Sequence, residues 1–398
     1  MTRTSNRSQE QSQVRLLMAG SATSSFDRFV VGPLLLTIAV HFGVSLARAA
    51  AVASLYFLLY GLSQPLWGLC SDRFGRVRTM RTTLAAAGVF GTLSAFAPTL
   101  ELLAVARACT GACIAAVVPA ALVYVGDVVP YGRRQRVLTD LNAASALGIT
   151  SAISLGGVLA ATVGWRVAFL LPALAAAVLA VVLRRLPEPP RAEGHEGGLL
   201  VALRSRWGRR VLLLALVEGA ALLGLLTYLA PAVESRGVSP TTAGLLVSLY
   251  GIGLLLASRV VKRLAGRVRA PVFLAVGAFS LVLAYGAVAV SQAPLLIGFA
   301  AFLVGTGWAG MHSTMQAWAT EVVPAGRAGM VSLFAAALFV GSGVATAVLA
   351  PLAGDLRWTA VFAAGAALSA VFGLAATLGS RRFHATAADL RSVEAAAL

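Results

Sequence analysis

Long apolar runs separated by short polar stretches form the dominant pattern along this chain of 398 residues. Each run is long enough for a helix that crosses the hydrocarbon core of a bilayer, which takes about 20 residues. The twelve runs cover approximately residues 15–40, 49–69, 79–98, 102–125, 137–161, 166–184, 210–232, 243–265, 271–291, 295–319, 328–350 and 357–379. The first run is too long and too polar for a signal peptide, so we expect it to remain as a span. The pattern predicts an all-α integral membrane protein with twelve transmembrane helices.

The composition supports a bilayer as the surrounding medium. The chain is 59% hydrophobic and 12% charged, whereas a soluble domain carries about 25% charged residues. A net charge of +17 on a soluble protein would suggest a nucleic-acid partner. Here the basic residues occur in short clusters between apolar runs, so we expect a lipid bilayer and no nucleic acid. The three cysteines are odd in number and lie within or directly beside apolar runs, which argues against a disulfide framework.

The distribution of arginine predicts the orientation of the chain. If the N-terminus is cytoplasmic, the outer side receives only Arg48, Arg166, Arg236 and Arg357. The inner side then receives the basic clusters at residues 3–15, 73–81, 133–136, 184–210, 259–269, 327 and 381–391. Because cytoplasmic loops carry the excess of basic residues, we expect both termini on the cytoplasmic side of the plasma (inner) membrane.

The chain also predicts a duplication. A stretch rich in proline, glycine and charge at 185–209 reads as a cytoplasmic linker. Three short motifs on its two sides recur at one offset of 194 residues: GVS at 43–45 and 237–239, SLY at 54–56 and 248–250, and DVVPYGR at 127–133 with EVVPAGR at 321–327. We therefore expect two parallel-repeat six-helix bundles, at 1–184 and 210–398, the second with a short cytoplasmic tail.

The connection between the second and third spans carries the sharpest local motif, GLCSDRFGRVR, which starts at Gly68. A positive-inside loop would explain its arginines but not its lone acid or its glycine spacing. The segment resembles the signature loop of the major facilitator superfamily, and the matching residues are Gly68, Ser71, Asp72, Arg73, Gly75 and Arg76. The resemblance implies a cytoplasmic latch, with Asp72 against the N-terminal end of span eleven and Arg76, or Arg73, against Asp127.

A second resemblance concerns span four. Arg107 and Gly111 match a family motif, R-x-x-Q-G-x-G-x-A, that is linked to proton coupling, whereas Thr110 and Cys113 depart from it. A charged residue inside a span costs roughly 2.5–3.5 kcal/mol on insertion scales. The resemblance therefore implies a coupling role for Arg107, and the alternative is an arginine that snorkels outward or pairs structurally.

Span one carries an acid near the middle of the membrane. Gly20, Thr23, Ser24 and Asp27 recur at the spacing of one helix face and predict a polar stripe that faces a cavity or a partner helix. We predict that Asp27 is the principal proton-binding carboxylate and that Arg107 tunes it, because burial disfavours the charged form and a nearby cation favours it. The alternative is an Asp27–Arg107 pair that only holds spans together. No role follows for Arg28, about 100° around the helix.

Further candidates lie in other spans. Glu218 in span seven has apolar helical neighbours, which favours a protonated or tightly paired carboxyl, and it is the second candidate for proton coupling. Polar and aromatic residues on single helix faces predict a substrate cavity, and ordinary helix packing is the alternative for the aromatic ones. These residues are Thr23, Ser24, Tyr56, Tyr60, Gln64, Asn142, Trp308, His312 and Gln316.

Span five bears on the direction of transport. Antiporters of the resembled family tend to carry G-x-x-x-G-P-x-x-G-G there, and this chain has Ala152 and Ile153 in place of the central Gly-Pro. The chain also contains no G-x-x-x-x-G-K-[ST] loop, which argues against ATP-driven pumping. The histidines and cysteines show no metal spacing, and we expect no cofactor beyond a proton gradient.

The resemblance as a whole is closest to the bacterial drug:H⁺ antiporters. It implies a monomeric secondary transporter, not an enzyme, that moves a small solute by alternating access, with proton-coupled efflux of lipophilic or drug-like compounds as the expected activity. Proton-coupled or facilitative uptake of a nutrient stays open, as does a membrane sensor that does not transport. The residues do not identify the substrate.

The orientation is testable with reporter fusions. A fusion after residue 197 in the linker should report the cytoplasm, and a fusion after Ser235 should report the outside, because the arginine clusters lie on the linker side. Alkaline phosphatase and green fluorescent protein activities at both points measure this. An external linker would overturn the assignment of every span.

Overall fold

The structure is a computed structural model that describes residues 2–189 and 198–396. Within those residues every regular element is helical, and eleven helices are long and apolar enough to span a membrane. Numbered by the predicted spans, they are span one Gln11–Phe42, two Leu46–Phe74, four Leu100–Val128, five Gly132–Thr162, six Trp165–Arg185, seven Arg206–Glu234, eight Pro240–Leu264, nine Ala270–Val290, ten Pro294–Val322, eleven Pro324–Gly354 and twelve Trp358–Ala385. Each overlaps a predicted apolar run.

The remaining long helix, Arg76–Ala95, occupies the place of predicted span three. It is less apolar than the others because its first turns carry three arginines and three threonines. Its apolar face buries Met80, Leu84 and Ala87 against spans four and six. The protein is therefore an all-α membrane protein with twelve helices at the twelve predicted places. The last helix continues without a break to Ala396.

The packing of the helices repeats between the first six and the last six. In the first half, span one packs on five, two on four, three on six, and three on four. In the second half, the equivalent pairs are seven on eleven, eight on ten, nine on twelve, and nine on ten. Every pair recurs six helices later, which is the arrangement of two parallel repeats related by an axis along the membrane normal.

Small residues line the contacts between the two halves. The halves meet where span two packs on span eleven and span five packs on span eight. These two contacts are equivalent, because spans two and five of the first repeat correspond to spans eight and eleven of the second. A Cβ added at Gly61 would lie 2.8 Å from the carbonyl oxygen of Ala336 and 2.9 Å from the amide nitrogen of Val340. A Cβ added at Gly157 would likewise lie against the backbone of Pro240 and Gly244. Glycine lets these backbones approach closely, as is typical of helix contacts in membranes.

Four spans are interrupted near their middles, and they are equivalent in the repeat. Span one contains a 3-10 turn at Gly32–Leu34, and span four breaks between Ile114 and Val117. Spans seven and ten contain π-helical segments at Ala220–Gly224 and Trp308–His312. The π-helical kind of segment often marks functional sites, and in this chain the two π-helical segments lie at or next to ionisable residues described below.

Part of the predicted linker is helical. Residues 190–197 lie outside the described residues, and the helix Gly198–Arg204 follows them within the range predicted as linker. Its first residue lies close to Gly326 and Gly329 at the start of span eleven. The boundaries at 184 and 210 remain predictions. Before the gap, Leu183–Arg185 forms a 3-10 turn that ends span six.

The glycine contact between spans two and eleven leads to a stability prediction. Gly61→Ala should lower the free energy of unfolding by about 1–3 kcal/mol, because the new methyl group overpacks a backbone contact between the halves. Gly286→Ala is the matched control, since an added Cβ there meets nothing within 4 Å. Both substitutions carry the same gain in helix propensity. Thermal unfolding of the purified protein in detergent measures the difference, and equal midpoints would contradict the close packing.

Candidate functional site

An ion pair joins spans one and four inside the first half. Arg107 donates to both carboxylate oxygens of Asp27, at 2.6 Å from Nη1 and 3.1 Å from Nη2, and Nη2 also reaches the Asp27 carbonyl oxygen at 2.8 Å. Both side chains are inaccessible to solvent, at 0% and 2% exposure. The structure thus brings together two of the three residues that the sequence predicted for proton coupling.

Spans two and six complete the surroundings of this pair. The Tyr56 hydroxyl donates to Oδ2 of Asp27 at 2.8 Å, so the carboxylate accepts from two different side chains. The guanidinium of Arg107 lies between the rings of Tyr56 and Phe169, at 4.6 Å from each centroid. A buried ion pair offsets its desolvation only when further hydrogen bonds satisfy it. Here the tyrosine, the backbone carbonyl and the two rings supply that compensation.

A second ionisable pair joins spans seven and ten in the other half. Nδ1 of His312 lies 3.1 Å from Oε1 of Glu218. The Glu218 side chain is fully buried and that of His312 is 16% exposed. The second carboxylate oxygen, Oε2, has no hydrogen-bond partner among the described residues. The rings of Trp308 and Phe334 stack on the imidazole at 4.4 and 5.8 Å.

The two pairs use equivalent helices but different positions and chemistry. Spans one and four correspond to spans seven and ten, yet Ser24, not Asp27, stands 194 residues before Glu218. Arginine keeps its charge under all physiological conditions, whereas an imidazole gains and loses a proton near neutral pH in its unperturbed state. The first half therefore holds a pair with a fixed cation, and in the second half a histidine takes the place of the arginine.

Arg28, to which the sequence assigned no role, lies at the interface between the halves. Its guanidinium donates to the Tyr60 hydroxyl at 3.0 Å and to the Ser25 hydroxyl at 3.3 Å. It lines a small cavity together with residues of spans one, two, five, seven and eight. The sequence did show that Arg28 is a charged residue in the middle of a span, which is a signal for a functional position. The angle between Arg28 and Asp27 around the helix did not show which residues Arg28 contacts.

The other predicted cavity residues lie in three different surroundings. Ser24 and Gln64 bond carbonyl oxygens of Ile114 and Ala115, so they pack on the interruption of span four inside the first half. Tyr60 stacks on Phe339 of span eleven at 4.3 Å and so touches the other half. Thr23 is half-buried, while Asn142 and Gln316 are exposed.

The signature loop forms an ion-pair cluster around Arg76. This arginine bonds the carboxylate of Asp72 and also approaches Oδ2 of Asp127 at 3.4 Å. The two carboxylates lie in the last turn of span two and at the inner end of span four. The resemblance predicted Asp72 at span eleven, whereas here its carboxylate is paired with Arg76 and is 56% exposed.

A linker residue that sequence reasoning missed also binds this loop. The carboxylate of Glu188 accepts from the amide nitrogens of Val77 and Arg78, at 3.0 Å each. It thereby occupies the N-terminal end of span three, where unpaired amides and the helix dipole favour an anion. Gly75 turns the chain before that helix with a φ of 105°, and a Cβ there would collide with the Glu188 carboxylate. The remaining motif residues border this cluster: Gly68 faces Ser332 of span eleven, and Arg73 lies over the ring of Phe74.

Comparison with known proteins decides the family. A sequence model of the Major Facilitator Superfamily matches residues 17–346, and an overlapping match covers residues 224–395. The chain belongs to the Major Facilitator Superfamily. It is a multi-pass membrane protein of that superfamily, in agreement with its twelve helices and its duplication.

Individual relatives differ in what they carry. The chain is 30% identical to a triacylglyceride transporter of Mycolicibacterium hassiacum over 193 residues, which cover 45% of this chain and 35% of that protein. It is 25% identical to the multi-drug resistance efflux pump PmrA of Streptococcus pneumoniae over 349 residues, 82% of each chain. Thus the match to the first relative spans only about a third of that protein's length, and the match to the efflux pump spans most of it.

A solved structure shares the fold. The bacterial homologue of the human lysosomal transporter Spinster, in an inward-facing and unoccupied conformation, superposes with a TM-score of 0.73 at 17% identity. The superposition covers 94% of this chain and 97% of that chain. At this identity the likeness concerns the fold alone.

The loop cluster leads to a prediction about transport. Asp72→Asn should abolish or severely slow transport while leaving the protein folded, because it removes the only acid of the loop from its contact with Arg76. Glu101→Gln is the control, since it removes an exposed ion pair with Arg48 and such pairs contribute about 0–1 kcal/mol. Solute counterflow in proteoliposomes measures both variants. An unchanged rate for Asp72→Asn would mean that the loop only sets topology.

Proposed function

We propose that this chain is a monomeric secondary active transporter of the plasma membrane that exports a small lipophilic solute in exchange for protons. The observation that carries the proposal is the pair of buried ionisable contacts, Asp27–Arg107 and Glu218–His312, one in each half. Each joins the first and fourth helix of its repeat, on spans whose helical course is interrupted. Ionisable groups inside a membrane are costly and mark ion or substrate pathways.

The contacts between the halves support alternating access. Spans two and eleven, and spans five and eight, meet through glycines such as Gly61 and Gly157. Neither ionisable pair crosses between the halves, because one lies within the first half and the other within the second. The two bundles can therefore rock against each other around a site at the midplane while each pair stays intact.

The surface at the interface supports a lipophilic solute. Aromatic rings from both halves meet there, and Tyr60 and Phe57 of span two face Phe339 of span eleven at 4.3 and 6.4 Å. Flat apolar surfaces of this kind bind organic molecules with few polar contacts. The likeness to an efflux pump over most of both chains supports export of drug-like compounds.

Proton coupling is assigned to Asp27, tuned by Arg107, with Glu218 as the alternative carrier. To accept a proton, Asp27 must give up part of its contact with Arg107 or Tyr56, so its protonation is linked to a rearrangement of spans one, two and four. Glu218 has an unpartnered oxygen and a histidine neighbour, so it can take a proton without losing a donor. Competition between proton and solute is what an antiporter requires.

The second candidate function is proton-coupled or facilitative uptake. Span five has Ala152 and Ile153 where antiporters of the family tend to carry Gly-Pro, and this departure weakens the case for antiport. A sensor that does not transport is the third possibility, and the retention of both ionisable pairs argues against it.

The coupling assignment leads to a specific prediction. Asp27→Asn should keep downhill exchange of solute and lose accumulation driven by an imposed pH difference, because the amide cannot exchange a proton. Uptake of naphthalene-2-carboxylate and of rhodamine 6G into proteoliposomes covers lipophilic solutes of both charges and measures both activities in parallel: counterflow without a pH difference, and accumulation with an acidic lumen.

A second carboxylate variant identifies the carrier. If Asp27→Asn still accumulates the probe, Glu218→Gln should show the loss instead. Thermal unfolding of each variant serves as the control for folding, since leaving Arg107 buried without its partner costs about 3–5 kcal/mol. Full accumulation by both variants would remove proton coupling from these two pairs.

A further inference from the structure

The positive charge of Arg28 is not neutralised by any acid in its surroundings. Its sequence neighbour Asp27 is occupied by Arg107. Among the described residues no carboxylate oxygen lies within 4 Å of the Arg28 guanidinium. Its partners are the neutral hydroxyls of Tyr60 and Ser25, and Nε has no hydrogen-bond partner there. Because a guanidinium keeps its proton in proteins, the interface between the halves carries a lasting positive charge.

Three aromatic rings hold this charge in place. The guanidinium carbon lies 5.2 Å from the ring centroids of Phe29 and Tyr60 and 5.1 Å from that of Phe339. Phe339 belongs to span eleven, so the cation is fixed at the contact between the two halves. Cation–π contacts stabilise the guanidinium but leave its in-plane donors available for an acceptor.

Apart from Arg28 and Thr227, the cavity beside Arg28 is lined by apolar residues. It is bordered by Phe57 of span two, Ile153 of span five, Leu223 and Leu226 of span seven and Val247 of span eight. The cavity has a volume of about 20 Å³ in this conformation, so an aromatic ligand needs the two halves to separate, and it then meets one fixed cation, one hydroxyl and several hydrocarbon surfaces.

We infer that the transported solute is an amphipathic organic anion, an aromatic carboxylate, whose carboxylate binds Arg28 and whose ring packs on the aromatic residues beside it. The inference deepens the proposed function, on which it rests, by naming the substrate class. A planar guanidinium binds a carboxylate through two parallel hydrogen bonds. A lipophilic cation would meet a like charge at this point. The competing possibility is a cation that binds the unpartnered oxygen of Glu218.

Three probes with one aromatic body separate these classes. They are naphthalene-2-carboxylate, naphthalene-2-carboxamide and 2-naphthylmethylammonium, which carry negative, zero and positive charge. Isothermal titration calorimetry on the purified full-length chain measures their affinities at one pH and one salt concentration. The variants are Arg28→Gln, Arg28→Lys and the control Arg48→Gln, whose side chain is 62% exposed and pairs with Glu101 away from the cavity.

The wild type should bind the carboxylate at least tenfold more tightly than the amide and should bind the ammonium most weakly. Arg28→Gln should abolish the preference for the carboxylate, Arg28→Lys should keep part of it as a point charge, and Arg48→Gln should leave it unchanged. Thermal unfolding checks that each variant is folded, and Arg28→Lys keeps the test informative if Arg28→Gln is not.

Three outcomes would overturn the inference: a preference of the wild type for the amide or the ammonium, no binding of the carboxylate, or an unchanged preference in Arg28→Gln. Counterflow of the same probes in proteoliposomes separates this failure from failure of the proposed function. Transport of the ammonium that does not depend on Arg28 would leave a transporter with another substrate class. Arg28-dependent binding without transport of any probe would leave the anion site and remove the transport function.

Discussion

A charged side chain inside a bilayer has no water to bind, so its partners must come from the protein itself. In this chain that constraint acts on Arg107, whose guanidinium is completely enclosed. Asp27 of span one supplies the counter-charge, Tyr56 of span two bonds the carboxylate and stacks on the cation, and Phe169 of span six covers its other face. One arginine on span four thus fixes the relative positions of four of the six helices in the first half.

The second half meets the same constraint with weaker and more variable chemistry. Glu218 has a histidine as its partner, and one of its oxygens has none among the described residues. His312 belongs to one π-helical segment, and Glu218 lies just before the other. In both segments the backbone departs from the regular hydrogen bonding of an α-helix. The duplication therefore conserves which helices carry an ionisable pair but not the identity or the level of the pair. The result is a first half in which the acid is paired with an arginine and a second half in which it is paired with a histidine.

Much of the fold could be predicted because a bilayer imposes simple rules on sequence. Run length predicted twelve helices, and repeated motifs at one offset predicted the two halves. Span three was placed correctly by its apolar run at 79–98, although the first turns of its helix are rich in arginine and threonine. The Asp27–Arg107 contact followed from the cost of leaving either charge alone. These predictions depend on periodicity and charge, which a sequence contains directly.

Other features depend on contacts between distant residues and could not be read from spacing. Arg28 is one residue from Asp27, but its surroundings come from Phe339, more than 300 residues away in the chain. Glu188 lies in a segment that looked like a flexible linker, yet its carboxylate binds the start of span three. The resemblance placed Asp72 at span eleven, whereas in this conformation it bonds Arg76. The sequence thus predicted which segments form helices, but it did not predict which residues contact individual polar side chains.

The distribution of strong and weak contacts suits a protein whose halves must separate. The ion pairs of Asp27, Glu218 and Arg76 each lie within one half. The contacts across the interface are of a different kind: glycine against backbone, and rings such as Tyr60 and Phe339 against each other. Breaking a buried ion pair would leave an uncompensated charge in the membrane. Separating rings costs only dispersion and aromatic contacts, about 0.5–1.5 kcal/mol for a pair. A rocking movement therefore breaks the inexpensive contacts and keeps the expensive ones, and Arg28, held by rings from both halves, is the charge whose surroundings change most.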